Sequence, residues 1–439
     1  MKIKKKDSTA ILNSLYGGVV PNRGLEYILV GRAEEAKQIL NDLTDVKEGS
    51  SVIKFFIGKF GSGKSFIQAL VQQIAFKEKF VVAKADFTPE RRLYGSEGKS
   101  VVTYSELMKN LAIATVPEGN ALPTILDKWI SEVQTRVTQK KGYGAVEFDN
   151  PEFIKDVENE IVSITAKMDD LVGGYDFARI LTLYFKGFVE DNSHLQRCAL
   201  RWLRGEYTTK TEAREDLGVR DIINDANYYE YIKVLSQFVR QIGYAGLVIN
   251  FDEAINLYKI THPQARDKNY EMILKIYNDT LQGNVGGLFI TFGGTEEFLE
   301  DERRGLFSYA ALKSRLQSNR FETNEHRDLS QPVIKLTPLK YDELYLLLQK
   351  VRDIHAVHYG YEANVSSEEI QSFIRIEYAR PGAEENITTR DVVRTFIGAL
   401  NILQQNPVID RAQLFGEQQQ GEDSNHKKER FSRFQKATE

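Results

Sequence analysis

The sequence predicts an α/β fold built on a parallel five-stranded sheet, with a large helical insertion and a C-terminal helical lid. Three observations carry that prediction. Five short apolar runs have the character of buried strands: Val52–Ile57, Phe80–Phe87, Gly246–Phe251, Gly287–Phe292 and Pro332–Leu336. Segments with helical spacing separate them, which is the pattern of parallel strands joined by crossovers. Between the first run and the helix after it, a glycine-rich turn reads GKFGSGKS from Gly58 to Ser65.

That turn satisfies G-x-x-x-x-G-K-[ST] with a strand before it and a helix after it, so it predicts a nucleoside-triphosphate site. A polyphosphate is held by backbone N–H groups at close range, which glycine permits because it has no side chain. The next helix adds the partial positive charge of its N-terminus. The nucleotide-binding set is Gly58, Lys59, Phe60, Gly61, Ser62, Gly63, Lys64, Ser65 and Phe66. Lys64 supplies a point charge for the β- and γ-phosphates, and the Ser65 hydroxyl is a Mg²⁺ ligand.

The second run is followed by about 150 residues of mostly helical pattern, among them YSELMKNLAIATV, DKWISEVQTRV, FIKDVENEIVSITAKM and YYEYIKVLSQFVRQIGY. A segment that long is a subdomain rather than a loop. Its tryptophans, Trp129 and Trp202, read as packing residues before base-stacking ones.

The third run ends in GLVINFDEA and delivers Asp252 and Glu253 to the carboxyl edge of the sheet, where ligands of such sheets bind. Asp252 is placed to hold Mg²⁺ and Glu253 to polarise the attacking water. Adjacent acids can also be an ordinary helix cap and first-turn charge. A strand between the glycine-rich loop and the acidic strand, with Glu after the metal-binding Asp, points to the ATPase branch with an additional catalytic strand. The polar end of the fourth run offers Thr291 or Thr295 as a γ-phosphate sensor, although either can be a strand residue. Three helical segments after the fifth run, Tyr341–Tyr359, Ser366–Tyr378 and Thr388–Gln404, predict the lid.

Linear boundaries follow: 1–94 for the N-terminal segment and first part of the core, 95–244 for the insertion, 245–338 for the second part of the core, 339–405 for the lid, and 406–439 for a polar, disordered tail. The 439 residues carry 58 Lys+Arg against 62 Asp+Glu, a net charge of −4, which does not advertise nucleic-acid binding. One cysteine, Cys198, rules out an intramolecular disulfide and fits a reducing compartment. The basic start MKIKKKD is followed by no compact apolar core, and no run approaches a membrane-spanning length, so a cytoplasmic protein is expected.

The order of features resembles an AAA+ ATPase of the origin-recognition or STAND-like kind, and more narrowly the ATP-binding proteins of BREX-type phage-defence islands (the BrxD-like family). The resemblance runs from about Ile11 to Leu403 on VPNRGLEYILVGRAEEA, KFFIGKFGSGKSF, VVAKADFTPERRLYG, VINFDEA, FGGTEEF, RRGLFSYAALKSRL and ITTRDVVRTFIGALNIL. It implies that Val30, Gly31 and Arg32 lie beside the adenine. It also implies an arginine acting from a neighbouring subunit, Arg315 or else Arg304, and a lid sensor, Arg390 with Arg394 one turn further on. The family more often has proline where Thr389 stands, which leaves the start of that helix open.

The expectation is an ATP- and Mg²⁺-dependent ATPase of an anti-phage defence complex, homo-oligomeric, working with partner proteins such as a helicase and with DNA. An alternative is an ATP-dependent switch or scaffold with negligible turnover. A small-molecule kinase is a third, for which no acceptor site is visible.

Overall fold

The computed structural model describes residues 2–146, 149–166, 172–323, 326–380 and 387–415. All five predicted strands form: β1 Val52–Ile57, β2 Val81–Asp86, β3 Leu247–Asp252, β4 Leu288–Gly294 and β5 Val333–Lys335. They make one parallel sheet in the order β2-β3-β4-β1-β5, so a strand does separate the one that feeds the glycine-rich loop from the one that carries the acids.

By contacts the chain divides into two compact units. One comprises 39–56 and 74–334; the other comprises the first 38 residues, 57–73 and the chain from Lys335 onward.

In the sheet-bearing unit, aromatic rings on neighbouring strands stack across the sheet. Phe55 lies 5.0 Å from Phe292, Phe292 5.2 Å from Phe251, and Phe251 5.1 Å from Phe87. Cross-strand pairs of this kind fix register, because a slip of one residue would turn every ring to the other face. A charged side chain is also buried in the sheet. Lys54, 1% exposed in β1, donates to the carbonyls of Leu329, Ser330 and Gln331 at 2.8–3.0 Å and pairs with Asp42 at 3.5 Å. Burial pushes its pKa down even though Asp42 acts the other way.

The insertion contains seven helices among the described residues, from Lys99–Lys109 to Tyr228–Gln241. Trp129 and Trp202 are buried, edge-on to Phe238 and Tyr231. YSELMKNLAIATV is not helical throughout. Its helix stops at Lys109, and Ala112 exchanges two backbone hydrogen bonds with Val82. β2 lies at the sheet's edge, and its outward N–H and C=O groups take that partner instead of water.

The other unit is a helical assembly. The three predicted lid helices are present as Tyr341–Tyr359, Ser367–Ala379 and Thr389–Gln405, and the N-terminal helix Lys5–Tyr16 packs with them. Their shared core includes Ile11, Leu12, Leu348, Ile354, Phe373 and Phe396. The last helix begins where expected despite the missing proline. Thr388 accepts from the Asp391 N–H while Asp391 accepts from the Thr388 N–H, a reciprocal capping box. Disorder from Asn406 is corrected as far as Phe415: Arg411 grips Glu369 with two hydrogen bonds of 2.6 and 2.7 Å, and Phe415 is buried near Phe373 and Phe396. A bidentate ion pair and an aromatic anchor hold a short polar stretch whose composition alone is poor in apolar residues. The rest of the expected tail, 416–439, lies outside the described residues.

Candidate nucleotide-binding loop and acidic strand end

The loop between β1 and helix Lys64–Lys77 is shaped by its glycines. Gly61 and Gly63 have φ of 82° and 93°, in the left-handed region that side chains disfavour. At Gly61 a side chain has no room either, since a Cβ there would meet Thr388 at 2.6 Å. The lid's capping threonine therefore sits on the loop. Gly58 is equally closed, by the Leu336 carbonyl and the Ser62 hydroxyl at 2.5 Å from a built Cβ. Ser62 is buried, and its Oγ has no hydrogen-bond partner among the described residues.

Lys64 opens the helix and donates to the carbonyls of Gly58 and Lys59, both at 2.9 Å, which draws the two ends of the turn together. Ser65 follows in the exposed first turn, and Lys59 is also exposed. Phe66 packs against the lid core, whereas Phe60 is 72% exposed under the Arg390 guanidinium, 5.6 Å from its ring centroid. Arg394 is exposed on the same lid helix.

The segment at Val30–Arg32 meets the loop from its own side. Val30 belongs to the lid core. Gly31, at φ 67°, lies against the Glu343 carboxyl. Arg32 is 5% exposed and donates to the Ser62 carbonyl at 3.0 Å and to the Thr337 carbonyl, with Glu35 at 3.4 Å. In this arrangement Arg32 braces the loop through its backbone.

In the sheet-bearing unit, β3 ends at Asp252, whose Oδ1 accepts the Glu253 N–H at 2.8 Å. Glu253 is exposed and has φ of 57°, unusual for a residue with a side chain. The register places Asp86, the last residue of β2, directly beside Asp252. Partial burial and then the Asp252 charge hold the Asp86 carboxyl above its usual pKa, although solvent still reaches it. The sequence reading missed Asp86; the signal was available, since VVAKAD closes on an acid as VINFD does.

Thr291 and Thr295 both have structural work. The Thr291 hydroxyl is fully buried and donates to Asn250 at 2.7 Å, its register partner. Thr295 is the cap of helix Glu296–Glu300. The two finger candidates differ more sharply. Arg304 donates to the carbonyls of Tyr258 and Ile260, lies over the Tyr258 ring at 5.2 Å, and has a buried Nε without a partner among the described residues. Arg315 is exposed: its guanidinium donates back to the Ala311 carbonyl of its own helix, and its backbone carbonyl accepts from the Tyr277 hydroxyl at 3.5 Å.

A family model described as the BREX system ATP-binding protein BrxC/D matches residues 3–419. The chain belongs to that family. BREX ATP-binding proteins are defined as nucleotide binders, which agrees with the loop geometry above. No curated protein matches the chain. Among solved structures it is similar to Cdc6p from Pyrobaculum aerophilum, at 11% identity and a TM-score of 0.39, with 90% of this chain covered. The match spans 66% of the Cdc6p chain, just under two thirds of it. Among the described residues no helix is long and apolar enough to cross a membrane. No group of three or more His, Cys, Asp or Glu among them is arranged to hold a metal ion unaided.

Proposed function

We propose that this chain is a Mg²⁺-dependent ATPase of a BREX defence complex. The observation that carries the reading is the Gly58–Ser65 loop: two left-handed glycines, two positions closed to any side chain, and a helix that starts at Lys64. Such a loop turns N–H groups toward a polyphosphate. Ser65 and Asp252 would be the oxygen donors for Mg²⁺, a hard cation that keeps several waters and takes few protein ligands. When bound, the ion neutralises charge developing on the phosphates.

Chemistry on this reading is attack of water on the γ-phosphate. Glu253 polarises the water, and Asp252 fixes the Glu253 backbone through its N–H. Lys64 and the loop amides stabilise the transition state. Arg390, over Phe60 on the loop, is the lid residue that senses the nucleotide. Arg315 is the arginine offered to a neighbouring copy, because its guanidinium is exposed while that of Arg304 is engaged at home. Val30 and Gly31 border the adenine. Work is delivered to partner proteins or DNA through homo-oligomer assembly and lid movement in the cytoplasm.

Steady-state ATP turnover of wild type, Lys64→Ala and Glu253→Gln tests the proposal. Wild type should turn over, Lys64→Ala should neither bind nor hydrolyse ATP, and Glu253→Gln should bind without hydrolysing. Equal and negligible rates for wild type and Glu253→Gln, with ATP still bound, would mean that the nucleotide is a switching ligand instead.

A further inference from the structure

At the opposite edge of the sheet, where β1, β2 and β3 begin, the sheet-bearing unit contains a cavity of about 620 Å³. Its lining carries Lys47, Lys77, Lys79 and Arg240 against one acid, Glu78. Lys47 pairs with Glu78 at 3.3 Å; Lys77, Lys79 and Arg240 have no ion-pair partner among the described residues.

Part of this charge answers to helix ends. Helices Ala33–Lys47, Lys64–Lys77 and Tyr228–Gln241 all finish here with a cation in the last turn. Three helix C-termini amount to about −1.5 charges in all, so with Glu78 counted the four cations still leave a surplus of about +1.5. The surplus is not carried on loose side chains alone. The Arg240 stem lies where a side chain on Gly287 would be, 2.1 Å from its built Cβ, and its guanidinium reaches 3.5 Å from that of Gly49. Both glycines have positive φ, so the backbone is arranged around the arginine. Gln241 and Tyr244 also line the cavity, and Lys128 covers the Tyr244 ring at 5.7 Å.

We propose that this cavity is a second anion site, for a small polyphosphorylated ligand of nucleotide size. Charge selects phosphate, and the volume falls in the range of small-molecule pockets rather than that of a groove for a nucleic-acid duplex. The site is separate from the glycine-rich loop, which follows the carboxyl end of β1, and the inference does not rest on the ATPase reading.

Binding of inorganic tripolyphosphate, measured by calorimetry at fixed ionic strength on full-length Lys64→Ala protein, tests it with the loop disabled. Lys64→Ala should still bind tripolyphosphate. Adding Lys77→Gln and Lys79→Gln should weaken binding roughly tenfold or more, as for loss of charge-assisted contacts, with an unchanged circular dichroism spectrum. Lys155→Gln with Lys210→Gln, two lysines elsewhere on the same unit, should leave it unchanged. Absence of binding, equal weakening by the control pair, or binding of a 20-nucleotide single strand without tripolyphosphate would overturn the proposal.

Discussion

Asp86 and Asp252 close adjacent parallel strands in register, so two carboxylates stand side by side at the sheet edge that also carries Glu253. Partial burial and then the like charge of Asp252 raise the Asp86 pKa. An acid whose folded-state pKa is raised costs no stability below the ordinary carboxylate range and progressively more as pH rises through it. Asp86→Asn should therefore match wild type in melting temperature below pH 3 and exceed it slightly at pH 7. A gap that does not widen with pH would show that neither burial nor Asp252 disfavours the Asp86 charge.

Lys54 supports the segment that precedes β5. Replacing it with methionine keeps much of its volume but leaves three part-buried carbonyls and Asp42 without their cation. The expected loss is about 3 kcal/mol by urea denaturation. A loss below about 1 kcal/mol would mean that water replaces the ammonium.

Gly61→Ala adds a methyl group to a left-handed position already occupied by Thr388. The backbone term alone costs about 1–2 kcal/mol. Because the contact lies between loop and lid helix, ATP-induced stabilisation should fall with it, by more than for Lys59→Ala at the exposed neighbouring position. Thermal shift with and without ATP separates the two.

Arg315 and Arg304 should behave differently. Arg304→Ala removes two carbonyl contacts and a stacked ring, and should lower the melting temperature. Arg315→Ala should leave it unchanged yet reduce turnover, since an arginine supplied across a subunit boundary is worth on the order of 10³–10⁵ in rate. Mixing Arg315→Ala with Lys64→Ala subunits should restore hydrolysis. A mixture that co-assembles and stays inactive removes Arg315 from that role.

His355 is buried in the lid between the Tyr361 hydroxyl at 2.7 Å and the Asn401 side chain at 2.9 Å, and burial lowers its pKa. A base that is held neutral contributes stability above its unfolded pKa, and that contribution is lost as pH falls below it. Wild type should lose more stability between pH 7 and pH 5 than His355→Gln does. Parallel curves would place the acid sensitivity elsewhere.

The strands were legible because each is a short, mostly apolar run, and the loop because its chemistry requires glycine, lysine and a hydroxyl at fixed spacing. The lid helices were legible from their helical spacing, and two of them open on capping boxes, at Ser366 and Thr388, each followed three residues later by an acid. Pairings between distant segments were not. Nothing local to VVAKAD says that Asp86 lies beside Asp252, and nothing in Arg32 distinguishes a guanidinium that braces Ser62 from one that meets a ligand. The tail misled because a few anchors, Arg411 and Phe415, outweigh a composition poor in apolar residues.

The N-terminal helix has a consequence for how the protein is made. Ser8 hydrogen-bonds His358 at 2.9 Å across 350 positions of sequence. At ordinary translation speeds the helix leaves the ribosome roughly tens of seconds before its partners exist. Its apolar face, with Ile11 and Leu12, has nothing to cover it during that interval, and the glycine-rich loop waits equally long for Thr388. The nucleotide loop thus acquires its native surroundings only once synthesis has passed Thr388, so products that stop short of it carry the motif without its setting.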